Sequence, residues 1–286
     1  MSRRQGAART RIWTVEEDAI RVRRDELAVE EPLEIRLRAG GERRSLAVTM
    51  RTPGNDVELA LGFLYAEGVI AGLAEVERVA YCLDEADGEQ RYNIVNVDLR
   101  GGALPEIAAL ERHFTVSSAC GVCGKASLEG LELRRGPLPG AGPAVRPALI
   151  RQLPGLLRER QGMFDATGGL HAAALFSSAG ELLALREDVG RHNALDKLIG
   201  WALTQGLLPL SESIVLVSGR ASFELLQKCL MAGAPILCAI SAPSSLAVDL
   251  ARRFNLTLVG FLREARFNVY AGPGRVLAEP QHPPAG

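Results

Sequence analysis

The chain has 286 residues, 47 % of them hydrophobic and 23 % charged, with a formal net charge of −1. That is enough apolar material for one large core or two moderate ones without staples, and the near-neutral balance gives no electrostatic basis for a general nucleic-acid binder. No window approaches the roughly 18 to 20 consecutive apolar residues that a membrane-spanning helix needs, and an odd count of five cysteines with no export signal points to a reducing compartment, the cytoplasm.

Residues 1–30 begin MSRRQGAARTR, positively charged with no apolar core behind it, and read as a flexible N-terminal arm. Leu33 to Arg38 and Ser45 to Arg51 alternate apolar and polar around the turn Ala39-Gly-Gly-Glu42, the pattern of a β-hairpin with one buried face. Asn55, with Glu58 three positions on, resembles a capping box opening a helix whose inward face is Val57, Ala60, Leu61 and Leu64, ending at Gly68. Two further strands, Val76 to Leu83 and Arg91 to Leu99, and a helix over Leu104 to His113 complete a small α/β domain, residues 31–135.

That domain ends in a connecting loop carrying Cys120-Gly-Val-Cys123-Gly-Lys125. Two thiols separated by two residues can share one sulfur-centred reaction. The glycines allow a tight turn, and the Lys125 cation favours the thiolate, which can lower a cysteine pKa from about 8.5 into the range of roughly 3.5 to 7.5. A closed zinc site wants four ligands, and neither a second CxxC nor a spaced His pair is present; a thioredoxin-type pair would open a helix directly after an apolar strand. Both stay open as alternatives. Cys82, Cys229 and Cys238 sit singly in apolar stretches and read as buried, inert thiols.

Gly136 to Pro147, GPLPGAGPAVRP, is the clearest break in composition and marks a linker between domains. Residues 148–274 then form the second domain. Thr167-Gly-Gly-Leu-His171 suggests close backbone approach, with His171 either a core residue or a site residue. A hairpin over Ala172 to Glu187 feeds a helix through Asn193 to Ala202. Strands at Ser213 to Val217, Pro235 to Ile240 and Leu256 to Phe261 alternate with helices at Phe223 to Ala232 and Ser245 to Phe254, and a last strand lies near Phe267 to Tyr270. This alternation implies a sheet with parallel crossovers, helices on its faces and an antiparallel hairpin at one edge. Residues 275–286 read as a tail, with His282 solvent-exposed.

Three turns of that domain carry candidate chemistry. Glu187-Asp188-Val-Gly-Arg191-His192-Asn193 gathers acids, a cation and an imidazole where strand becomes helix, a usual place for a ligand; the bland alternative is a capping cluster in which Asp188 or Asn193 bonds backbone N–H groups and His192 packs. Ser218-Gly-Arg220-Ala-Ser222 offers N–H groups, hydroxyls and a guanidinium at a helix start, without the spacing of a P-loop. Arg263 and Arg266, with Arg275 beyond, could grip phosphates as forks. Together they favour a polyanionic ligand such as a nucleotide-bearing cofactor.

CGVCGK, TGGLHAAAL, EDVGRHNALDKLIG, VSGRASFELLQK and SAPSSLAVDLARRFNLTLVGFLR, in this order and spacing, closely resemble the formate dehydrogenase accessory sulfurtransferases, the FdhD family, from about Glu31 to Tyr270. The resemblance implies a sulfurtransferase that takes persulfide sulfur from a cysteine desulfurase and hands it to the molybdenum cofactor, bis-molybdopterin guanine dinucleotide, before formate dehydrogenase receives it. It implies Cys120 as the persulfide-bearing cysteine with Cys123 as its partner. Cofactor contact maps onto Phe261-Leu262-Arg263-Glu264-Ala265-Arg266, where the family pattern has Pro-Gly in place of Glu264-Ala265; from the turns read above, His192, Ser218 and Arg220 are expected as further contacts. It also implies a homodimer; no metal of the protein's own and no nucleic-acid or membrane partner are expected. The implied fold is a cytidine-deaminase-like mixed sheet with helices on both faces, plus the smaller N-terminal α/β domain. Zinc deaminases need H-x-E and P-C-x-x-C; this chain has His192-Asn193-Ala194 and Ser218-Gly-Arg-Ala-Ser222 there, so deaminase chemistry is not expected. The rival readings are a non-catalytic cofactor-binding chaperone and a zinc-stabilised module completed by His113 or His171.

Overall fold

The computed structural model describes residues 6–82, 92–105 and 142–277. The architecture is mixed α/β, with two-, four- and six-stranded sheets. Its described residues fall into two compact units. The first lies within Met1–Lys125, Gln161–Ala172 and Arg186–Gly206, the second within Ala126–Arg160, Ala173–Leu185 and Leu207–Gly286. The division therefore departs from a cut at residues 136–147: two stretches of the second half belong with the first unit.

In the first unit, strands β1 (Ala7–Glu16) and β2 (Ala19–Ala28) pair antiparallel along their whole length as a two-stranded ribbon. Ala7–Ala28 is thus an ordered ribbon and not the loose arm expected over residues 1–30: the ladder from Ala7↔Ala28 to Glu16↔Ala19 pairs the two backbones across a two-residue connection. Next come β3 (Glu31–Ala39) and β4 (Glu42–Arg51), the expected hairpin, then α1 (Asp56–Ala66), β5 (Val76–Tyr81) and β6 (Ile94–Leu99). The sheet order is β4-β3-β6-β5, with β6 parallel to β3. Leu33, Ile35 and Leu37 of β3, Val95 and Val97 of β6, and Leu59, Leu61 and Leu64 of α1 are buried, whereas Val57 is exposed.

The start of α1 also differs from the expected capping box. Asn55 adopts a left-handed conformation (φ 58°) and makes no side-chain cap bond, while the Glu58 carboxylate accepts from Arg186 Nε and Nη2 at 2.5 and 2.7 Å. A bidentate charge-assisted pair outcompetes a reach back to a backbone N–H.

The second unit contains α2 (Pro147–Arg158), with Ile150, Leu153 and Leu157 buried. Helix α3 (Gly162–Thr167) follows it in the chain and belongs to the first unit. Neither helix was legible beforehand. Strands β7 (His171–Ser177), β8 (Leu182–Asp188), β9 (Ser213–Val217), β10 (Ile236–Ala239), β11 (Thr257–Gly260) and β12 (Asn268–Ala271) form one mixed sheet in the order β12-β11-β10-β9-β7-β8. Strands β9, β10 and β11 are parallel, and β7 and β12 flank them antiparallel. Helices α5 (Phe223–Ala232) and α6 (Ser245–Arg253) are the crossovers, and α4 (Arg191–Thr204) follows β8. The runs SIVLV and ILCA are buried at nearly every position, as central parallel strands must be. Residues 275–277 are part of this unit rather than a tail: Arg275 is buried and Val276 bridges Val145. No helix among the described residues is long and apolar enough to cross a membrane.

Candidate functional site

The parallel order β9-β10-β11 brings three carboxyl-end turns side by side, where open α/β sheets place ligands. These turns are Ser218–Ser222, Ile240–Ser244 and Phe261–Phe267. Backbone hydrogen bonds stitch them together: Ser241 N–H donates to Gly219 O at 3.3 Å, Ala221 N–H to Ala242 O at 3.2 Å, and Ser244 N–H to Ala221 O at 3.0 Å. Phe261 N–H donates to Ser241 O at 3.1 Å and Leu262 N–H to Ala239 O at 3.2 Å. The structure thus brings Ser218, Arg220 and the stretch Phe261 to Arg266 into one hydrogen-bonded rim.

Within that rim the residues divide by burial. Leu262 is buried and pins the turn, while Arg220, Glu264, Ala265 and Arg266 are exposed. Phe261 is 43 % exposed and sits at φ 50°, a conformation that a bulky non-glycine residue rarely holds. An aromatic ring turned outward at a strained strand end is an outlier of the kind found at ligand clamps. Gly260 before it admits no side chain, since a Cβ there would stand 2.9 Å from Pro243 Cδ and 3.0 Å from the Tyr270 ring.

Two of the expected arginine forks are otherwise occupied. The Arg263 guanidinium donates through Nη1 to the carbonyls of Ile240 and Leu262, tying the β10 and β11 turns. Arg275 lies off the rim: it is buried, donates to Asn255 O at 2.8 Å, and burial lowers its pKa. Arg220, Arg263 and Arg266 are the exposed arginines of the rim, and of these Arg263 is held through Nη1 by the two carbonyls.

The EDVGRHN stretch lies in the first unit, described separately from that rim. Asp188 is wholly buried and accepts four bonds. Oδ2 receives Thr52 N–H at 3.1 Å and Lys197 Nζ at 2.6 Å; Oδ1 receives Gly190 N–H at 2.8 Å and Asn193 Nδ2 at 3.1 Å. Asn193 also donates to Met50 O at 2.7 Å, and Lys197 to Thr52 O at 2.8 Å. Glu187 accepts the N–H groups of Met163 and Phe164 at the start of α3. Both acids are engaged within the protein, Glu187 by backbone N–H groups and Asp188 by two backbone and two side-chain donors, so a ligand would have to displace four donors from Asp188. His192, at the second position of α4, is half-buried. His171 has its pKa lowered by burial and by the Arg191 cation.

A second buried pair stands beside this network in the same unit and was missed in the sequence. Arg51 donates to both oxygens of Asp56 at 2.9 and 2.8 Å, and Tyr81 Oη donates to Asp56 at 3.0 Å. Burial, with the Asp56 charge beside it, pushes the Tyr81 phenol up to about 12. Only the spacing Arg51-Thr-Pro-Gly-Asn-Asp56, two opposite charges across a tight turn, hinted at it.

Cys229 and Cys238 are fully buried, and burial pushes both thiols up to about 12, which leaves them inert at neutral pH. Among the described residues no group of three His, Cys, Asp or Glu side chains could hold a metal. Cys120, Cys123, Lys125 and His113 lie outside the described residues. A cavity of about 430 Å³ between α2 and the β7–β8 turn, lined by Leu149, Leu153, Leu156, Ala179 and Leu277 among others, shares no described residue with the rim.

Residues 28–277 match the FdhD/NarQ family. The chain belongs to that family. FdhD/NarQ relatives include proteins named "Sulfur carrier protein FdhD". The Streptomyces avermitilis protein is 53 % identical over 272 residues, covering 94 % of this chain and 95 % of its own, and the Mycolicibacterium paratuberculosis protein is 50 % identical over 275 residues, covering 95 % and 99 %. A solved structure from Desulfotalea psychrophila, assigned as a formate dehydrogenase accessory protein, superposes with a TM-score of 0.74 at 25 % identity, over 95 % of this chain and 99 % of its own. The mixed α/β architecture is therefore that of an FdhD-type protein.

Proposed function

We propose that this chain is a sulfur carrier serving formate dehydrogenase, and that Cys120 bears the sulfur as a persulfide. The observation that carries the reading is membership of the FdhD/NarQ family across residues 28–277, a span that includes the CGVCGK sequence. The Cys120 thiolate attacks the outer sulfur of a cysteine desulfurase persulfide; that S–S bond breaks, the desulfurase cysteine leaves as thiolate, and Cys120 carries S–SH. Cys123 thiolate then attacks Sγ of Cys120 and expels the outer sulfur as hydrosulfide. The product is a Cys120–Cys123 disulfide, which a cellular thiol reductant reopens.

The sulfur acceptor is the molybdenum cofactor in its bis-molybdopterin guanine dinucleotide form, bound as substrate. The β9, β10 and β11 rim supports this part of the reading: the Phe261 ring offers a stacking face for a guanine base, and Arg220 and Arg266 offer cations for its phosphates. Ser218 and the backbone of Phe261 to Arg266 supply further contacts on the rim. Arg263 is a positioning residue here, since its guanidinium holds the turn that presents Phe261.

Activation of formate dehydrogenase in cells lacking the native carrier tests the reading. Wild type restores activity and Cys120→Ala does not; activation by Cys120→Ala would leave only a cofactor-binding chaperone. Guanosine diphosphate at millimolar concentration is expected to raise Tm, and an Arg220→Ala/Arg266→Ala variant is expected to lose that rise while keeping its own Tm.

A further inference from the structure

The cavity between α2 and the β7–β8 turn lies at the end of the sheet away from the rim. Strand β7 runs antiparallel to β9, and Ser177 at its close stands opposite Ser213 at the start of β9, whereas the rim begins beyond Val217. A volume of about 430 Å³ is within the range of small-molecule sites. Backbone holds the walls in place. Gly180 N–H donates to Ser177 O at 2.9 Å and Ser177 N–H to Glu181 O at 2.9 Å, closing the turn, while Leu277 N–H donates to Val145 O at 2.8 Å. Gly180, at φ 89°, approaches α2 so closely that a Cβ there would stand 3.1 Å from Leu149 Cγ. The groove is therefore preformed, as ligand sites generally are.

Its lining says what chemistry it fits. Leu149, Leu153 and Leu156 recur four and three residues apart, so they form one stripe along α2, with Ala179 and Leu277 completing the apolar wall. Three polar side chains join them: Arg146, which directly precedes α2, Gln152 and Ser178. Among the described residues none of the three side chains has a hydrogen bond or ion pair, and Arg146 is exposed. The described lining holds this one cation and no acid. An apolar trough with a lone guanidinium at one end is complementary to an anion on an apolar chain; a cationic head would meet no counter-charge, and a neutral one would leave the guanidinium unused.

We propose that this groove is a binding site for a monomeric amphipathic carboxylate, with the chain laid along Leu149, Leu153 and Leu156 and the carboxylate on Arg146. Gln152 and Ser178 donate the remaining hydrogen bonds to the head group. Leu277 is 44 % exposed and Ala179 is exposed, so the mouth stays open and one side of the chain faces water. Affinity is accordingly modest, with half-saturation on the order of 100 µM. The site stands apart from sulfur transfer and from the nucleotide rim, and its ligand binds without displacing guanosine diphosphate.

Calorimetric titration of the full chain with sodium decanoate, decanol and sodium acetate tests it. Decanoate is expected to bind about fivefold more tightly than decanol, the worth of one surface-exposed arginine–carboxylate pair, and acetate not to bind at about 1 mM. Arg146→Ala is expected to bring decanoate down to the affinity of decanol while leaving decanol unchanged, a selective loss that a merely structural role would not produce. Ala179→Trp fills the mouth from an exposed turn position and is expected to abolish both without lowering Tm. No decanoate binding at about 1 mM overturns the proposal, as does binding that guanosine diphosphate displaces or that survives Ala179→Trp. Equal loss of decanoate and decanol in Arg146→Ala overturns it too. Binding seen only in a chain ending at Leu277 would assign the groove to residues 278–286 instead, and binding to phosphatidylglycerol vesicles without binding of decanoate would assign it to a lipid surface; either result overturns it.

Discussion

Lys197 Nζ lies 2.6 Å from Asp188 Oδ2, with both side chains buried, and the same carboxylate holds the backbone N–H groups of Thr52 and Gly190. One carboxylate thus joins the end of β4, the end of β8 and the first turns of α4. Removing either partner leaves an uncompensated buried charge. Asp188→Ala or Lys197→Met is expected to lower unfolding free energy by about 3 to 5 kcal/mol in urea titrations. The double variant is expected to cost less than the sum of the two, because the second substitution removes the orphaned charge.

Helices α1 and α4 cross at two glycines. A Cβ on Gly62 would stand 1.8 Å from Asp196 O, and one on Gly200 would stand 1.8 Å from Glu58 O. Backbone on each side cannot yield as a flexible side chain would, so Gly62→Ala or Gly200→Ala is expected to cost about 1 to 3 kcal/mol or more. Gly155, inside α2, has open space around its Cβ position. There Gly155→Ala is expected to stabilise by about 0.5 to 1 kcal/mol, and the contrast in Tm checks the crossing.

Phe261 holds a positive φ that asparagine tolerates better. Phe261→Asn is expected to raise stability, by up to about 1 kcal/mol as strain is relieved, while abolishing the guanosine diphosphate shift in Tm. Stability and binding moving in opposite directions is the signature of strain kept for a ligand. A variant that lost both would make Phe261 an ordinary packing residue.

The buried thiols give a pH signature. Cys229 and Cys238 have folded-state pKa values raised from 9.0 to about 12, so their contribution to stability is complete below pH 9 and fades as pH rises toward 12. Chemical denaturation between pH 8 and 11 is expected to show this decline as a flatter curve in Cys238→Ala. At neutral pH neither thiol is expected to react with iodoacetamide in the folded chain.

The second half of the fold was legible because buried parallel strands such as SIVLV and helices with one apolar face carry strong local patterns, and the rim followed from strand ends. The β1–β2 ribbon was not, since its apolar residues face outward and arginine-rich flanks resemble an unstructured arm. Helix α2 was hidden by its Pro-rich approach and by Pro154 within it. The network of Asp188 joins residues 136 positions apart to Thr52, a pairing that only tertiary structure creates. That Arg263 Nη1 also ties the β10 and β11 turns through the carbonyls of Ile240 and Leu262 was not legible, because sequence does not show which acceptors stand beside a guanidinium.

Intact-protein mass spectrometry after incubation with a cysteine desulfurase and cysteine tests the central claim most directly. The account predicts a gain of one sulfur, about 32 Da, reversed by thiol reductant, present in wild type and Cys123→Ala and absent in Cys120→Ala. A gain that persists in Cys120→Ala, or none in any form, would contradict it.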